Sequence, residues 1–188
     1  MTITGPAITR LILLGFVASL LQLTSASQVS IFGVPMDLSP LIVASVGFLA
    51  GSVPGMIFGF CFGLFADTAL MQTLGVTSLV LTAVGYGAGR VRELRDPAHG
   101  LAPVAVGAAA TAIAALGITL LQFLLGVEAP VSAQVVRQIL MTIVLNTLLA
   151  LPVYAVCRRV LLPFLPDDPR RRRRRAYTTG GLSPLSRA

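Results

Sequence analysis

The sequence predicts an all-α membrane protein of six transmembrane helices with both termini cytoplasmic, and three observations carry that expectation. Of 188 residues, 55% are hydrophobic and only 11% charged, whereas soluble domains carry roughly 25% charged residues. The apolar residues fall into six blocks separated by short connections. The basic residues, all arginine, gather in three places that alternate with arginine-free connections, which is the bias that short cytoplasmic loops show.

The first block, Ile8 to Ser25, has Arg10 near its start and small residues near its end. A secretory leader looks similar, but further apolar segments follow, so an uncleaved first helix is expected. The second block, Leu38 to Ala50, is shorter than the roughly 20 residues a straight crossing needs. It either re-enters the membrane or joins the third block, Pro54 to Leu70. Fusion of the two would move Arg90, Arg92 and Arg95 to the outside, so a tight inner turn at Gly51 to Pro54 is expected instead. Glycine and proline there stop one helix and start the next. The remaining blocks are Val76 to Gly89, Leu101 to Leu125 and Val135 to Leu162. Gln28 to Asp37, Met71 to Gly75 and Gly126 to Gln134 contain no arginine and belong outside.

Residues 1–165 thus form a membrane domain, and residues 166–188 a disordered cytoplasmic tail. Its arginines Arg170, Arg171, Arg172, Arg173, Arg174 and Arg175 suit anionic lipid headgroups, at about 1 kcal/mol per residue near the surface. The net charge of +7 is concentrated at this end, so it gives no support to nucleic-acid binding.

Gly47, Gly51, Gly55, Gly59 and Gly63 recur at every fourth residue, and Asp67 continues the series. Each step drifts only about 40° around a helix, so the part after Pro54 lies along one face. In lipid, such a face is a close helix contact, here expected within the chain. Asp67 lies about 20 Å along the helix from Pro54, in the outer half. There it meets the unfavourable end of its own helix dipole and needs a partner. Arg137, at the start of the sixth helix, is the expected one.

Catalytic chemistry is thin. His99, the sole histidine, sits beside Asp96 and Pro97 in an expected cytoplasmic loop, where a solvated ring offers neither a Ser-His pair nor a histidine-rich metal site. Asp67 is the sole acid within an apolar block and forms no dyad. Cys61 and Cys157 sit in apolar segments as packing residues. No enzyme, metal or cofactor is expected. Thr142, Asn146 and Thr147, with Gln122 and Tyr86, must find hydrogen bonds at membrane depth. They either satisfy one another or line a small-molecule pocket.

The run Gly59, Gly63-Leu64, Asp67, Leu74-Gly75, Leu79, Tyr86 and Gly89 resembles the MreD family of bacterial rod shape-determining membrane proteins. That resemblance implies a non-enzymatic scaffold of the cell-elongation complex in the inner membrane, supporting peptidoglycan synthesis. Its implied partner is the bitopic protein MreC. A RodA-type glycosyltransferase, a class B penicillin-binding protein and, indirectly, MreB follow through it, and a homodimer is left open. The implied fold is similar to the S-components of vitamin transporters. The alternative function is therefore a substrate-binding subunit of a small-molecule or lipid transporter. The arginine tail is not part of the family pattern.

Overall fold

The computed structural model describes residues 5–28, 30–31, 34–35, 37–94, 102–126 and 133–161. The expected tail, including Arg170 to Arg175, lies outside them, as do Arg95 and His99. The helices are α1 (Gly5–Gln28), α2 (Ser39–Ala50), α3 (Ser52–Ala69), α4 (Val76–Leu94), α5 (Ala102–Leu124) and α6 (Ala133–Leu161). Their order and extents follow the six apolar blocks to within a few residues. One departure from an all-helical chain occurs between α1 and α2. There β1 (Ser30–Ile31) pairs antiparallel with β2 (Val34–Pro35).

Among the described residues, α3, α5 and α6 are long and apolar enough to cross a bilayer, while Thr9–Leu20 and Ser39–Ala50 are shorter apolar stretches. Three of the six expected crossings are thus clear spans. The shortfall at α4 is compositional, because serine, threonine and glycine fill its interior and Arg90, Arg92 and Glu93 lie in its last turns.

The centre of the bundle is α2. All twelve of its residues are buried, and it touches each of the other five helices. A helix apolar on every side must be enclosed. At 1.5 Å per residue, α2 reaches only about 18 Å, and its neighbours are helices on every side rather than lipid. Around it, Gly107, Ala110, Thr111 and Ala114 form the buried stripe of α5. Asn146, Ala150, Cys157 and Leu161 are the buried positions of α6. The outward faces carry Ile57 and Phe60, Ile113 and Leu120, and Val144 and Leu148. Small residues inside and large apolar ones outside suit a lipid solvent.

Between α2 and α3 the chain reverses at a single residue. Gly51 adopts φ +107°, which an L side chain rarely tolerates. The reversal returns Gly55 against Gly47, so that a Cβ on Gly55 would stand 2.6 Å from the Gly47 Cα. Pro54 falls inside the first turn of α3, where its missing N–H costs nothing.

Candidate functional site

The glycine face of α3 lies backbone to backbone against α4. An added Cβ would meet Gly85 O at 2.5 Å from Gly55, Leu81 O at 2.3 Å from Gly59, and Ser78 Cα at 2.4 Å from Gly63. The partners descend along α4 as the glycines ascend along α3, so the two helices run antiparallel. Gly89 extends the contact at the Gly51 end, where its Cβ would meet Ser52 N at 2.3 Å. With such close approach, dispersion acts along the whole seam.

Asp67 closes the other end of the seam. It is wholly buried. Its Oδ2 accepts the backbone N–H of Gly75 at 2.8 Å and of Ser78 at 3.4 Å. These groups belong to the unpaired donors at the start of α4. Asp67 therefore stands near the end of its own helix yet caps the next one, at the positive end of that helix's dipole. Its Oδ1 has no hydrogen-bond partner among the described residues. Gly75 adopts φ +93° with nothing near its Cβ position, so it serves the turn that delivers α4 to Asp67.

The expected pairing of Asp67 with Arg137 is not made. Arg137 is exposed on α6, and Asp67 takes its hydrogen bonds from Gly75 and Ser78 instead. Backbone donors have taken the role assigned to the arginine. Tyr86 also stands apart from the seam, with its ring exposed and Arg90 lying 5.9 Å from the ring centroid.

At the Gly51 end, α4 clamps the reversal with two charges. Glu93 Oε1 accepts Ser52 Oγ at 2.7 Å and Ser52 N at 3.1 Å, which caps the start of α3. Arg92 donates to the carbonyl of Leu49, which caps the end of α2. Each sign matches the dipole it faces. The Ser52 hydroxyl and N–H, and then Arg90, hold the Glu93 carboxyl below its ordinary value.

A second polar knot joins α1, α2, α5 and α6. Gln22 Nε2 donates to Asp37 Oδ1 at 2.9 Å, and Leu38 N donates to Gln22 Oε1 at 3.2 Å. Asn146 Nδ2 donates to the Asp37 carbonyl at 2.7 Å and to Thr111 Oγ1 at 3.2 Å. Thr142 and Thr147 return their hydroxyls to their own helix, at Gln138 O and Ile143 O. Asp37, Gln22, Thr111, Ser52 and Glu93 escaped the sequence reading. Asp37 is the one charged residue between Arg10 and Asp67, which was its available signal, and acid plus arginine at 92–93 was the signal for the clamp.

The cleft between α1 and α3, lined by Ser19, Gln22, Phe62 and Phe65, holds about 10 Å³, on the scale of one water molecule. Small-molecule sites need roughly 300 Å³ or more.

The family model for rod shape-determining protein MreD matches residues 3–160. The chain belongs to the MreD family. The match covers all of α2 to α5 and all but the last residue of α6, so the glycine seam, Asp67 and both polar clusters lie inside the family region. MreD membership carries a role in determining rod shape and a membrane location. No match is found among curated proteins or among solved structures.

Proposed function

We propose that this MreD-family chain is a non-enzymatic, six-span scaffold of the bacterial inner membrane that binds MreC within the cell-elongation complex. Through MreC it supports the RodA-type glycosyltransferase and the class B penicillin-binding protein, and it connects indirectly to MreB. The observation that carries this reading, beside family membership, is the seam. Its glycines, Asp67 Oδ2 and the Arg92–Glu93 clamp are spent on holding α2, α3 and α4 together. Such a bundle has large apolar outer faces, suited to carrying other membrane helices.

The orientation fits the same reading. Arg92 bonds the Leu49 carbonyl and Tyr154 packs on Phe48, so α4 and α6 bring their later halves to the same end of α2, and arginine bias makes that end cytosolic. Six crossings then require α2 to pass through a region shorter than a full hydrocarbon layer.

Purification from detergent tests the proposal. Recovery of the tagged full chain with a bitopic coiled-coil protein and the wall synthase is expected. Recovery with an ATPase module and a bound metabolite would refute the scaffold and restore the transporter alternative. Cysteine accessibility labelling at residues 90–95 from outside the cell would overturn the orientation.

A further inference from the structure

The first helix is attached to the bundle differently from the helices of the seam. Where α3 and α4 meet backbone to backbone, Gly15 of α1 faces the Phe58 ring, whose Cε2 lies 3.1 Å from an added Cβ. Among the described side chains of α1, Ala18, Ser19 and Gln22 are buried, and Leu11 and Leu14 pack partly buried against the core. Ile12, Leu13, Phe16, Val17 and Leu20 are exposed. The Ser19 hydroxyl donates to Gly15 O, so its proton stays within α1. Gln22 crosses to the start of α2, where Nε2 donates to Asp37 Oδ1 at 2.9 Å and Oε1 accepts Leu38 N–H at 3.2 Å. Beside this latch the contact of α1 with α3 is incompletely filled, leaving the cleft of about 10 Å³ that Ser19, Gln22 and Phe62 line. Phe62 stacks on Phe58 with centroids 5.9 Å apart. A single-residue reversal at Gly51 joins α2 to α3, whereas residues 29–38 stand between α1 and α2.

We propose that α1 is a displaceable strap, which lies on α3 while Gln22 holds the start of α2 and swings into the bilayer as an intact helix when that latch opens. Lipid tails are as apolar as the leucines that α1 packs inward, so no hydrophobic force draws a detached helix back. Docking then depends on close packing and on hydrogen bonds between helices. Because α1 rests on side chains beside an unfilled cleft, Gln22 carries a large share of it. Displacement costs α1 no backbone hydrogen bond, since a helix satisfies its own. It uncovers the Phe58–Phe62 pair of α3 to lipid, while the seam and the clamp stay closed. Elements that move are drawn from the least packed parts of a fold. The inference goes beyond the scaffold reading and rests on the bundle lying in a bilayer, not on any protein partner.

Pulsed electron paramagnetic resonance on the full chain in lipid nanodiscs tests the strap. Spin labels at Leu13→Cys on α1 and Leu116→Cys on α5, both exposed positions, follow α1, in a Cys61→Ala background because that thiol is exposed. Labels at Leu116→Cys and Val144→Cys, exposed on α5 and α6, follow the core. Gln22→Met keeps the length of the side chain and removes both hydrogen bonds of the latch. With Gln22 intact, the α1–α5 pair shows a dominant docked distance and a minor longer one. Gln22→Met raises the ratio of longer to docked about tenfold, the effect of losing two interhelical hydrogen bonds, and leaves the α5–α6 distance unchanged. An α1–α5 distribution that Gln22→Met does not alter overturns the strap. Broadening of both pairs overturns it as well, in favour of Gln22 as a support of the whole fold. Ser19→Ala, which removes a bond inside α1, leaves both distributions as they are; a shift as large as that of Gln22→Met would assign the effect to loosened packing and overturn the latch. Because MreC is absent from this assay, failure of the scaffold reading leaves its outcome untouched.

Discussion

Replacing Gly59 by alanine puts the α3–α4 seam to its sharpest test. The new methyl carbon would stand 2.3 Å from Leu81 O and 2.8 Å from Leu81 C, both backbone atoms, whereas ordinary contact begins near 3.4 Å. No rotamer relieves a clash with a main chain, so α3 and α4 have to part by roughly 1 Å. A gap of that size forfeits a quarter to a half of each dispersion contact along the seam. It also stretches the Gly75 N–H bond to Asp67, now 2.8 Å. Overpacking alone costs about 1–3 kcal/mol, and weakening the buried cap adds about 1 kcal/mol, so a loss of about 2–4 kcal/mol is expected. Reversible unfolding in mixed micelles, followed by circular dichroism, measures it. Gly63→Ala costs a similar amount alone but adds little to Gly59→Ala, because the helices are already apart. Gly87→Ala is the control. Nothing lies within 4 Å of its Cβ position, so it gains up to about 1 kcal/mol from helix propensity. If Gly59→Ala unfolds at the wild-type midpoint, or if the two seam substitutions add fully, the close-packing argument fails.

Asp67→Ala removes the acceptor from two N–H groups at the start of α4 and costs about 2–4 kcal/mol. Asp67→Asn, which keeps one acceptor, costs less, and the order of the two unfolding midpoints checks the capping role. Arg137→Gln leaves the midpoint unchanged, since Asp67 takes nothing from it. Asn146→Leu strips the Asp37 carbonyl of its donor and destabilises by about 1–3 kcal/mol. Glu93 has a folded value below its ordinary 4.5, so its contribution is fully present above pH 4.5 and is lost as pH falls through the folded value. A Glu93→Gln variant flattens that acid limb of the stability curve.

The helix blocks were legible because lipid leaves backbone groups no partner but their own helix, so hydropathy and helix extent coincide. The four-residue rhythm of glycine was legible for a similar reason, since only backbone contact between helices rewards it. The reversal at Gly51 followed from arginine sidedness, and the structure locates it on one residue with positive φ. Asp67 was found, but its partners were not. A carboxylate's charge suggests a cation, whereas main-chain N–H groups carry no residue signature, and the cap depends on how the Gly75 turn presents α4. Asp37 was missed because it belongs to a connection in sequence and to the bundle in space. Its links to Gln22 and Asn146 span 15 and 109 positions of chain, a separation that no local pattern encodes.

The enclosed α2 bears on how the protein is made. A stretch of about 18 Å falls short of what partitions stably into hydrocarbon on its own, and its flanks are fastened by atoms translated later, Glu93 and Asn146. The burial of α2 is therefore complete only once α4 and α6, translated after it, are in place.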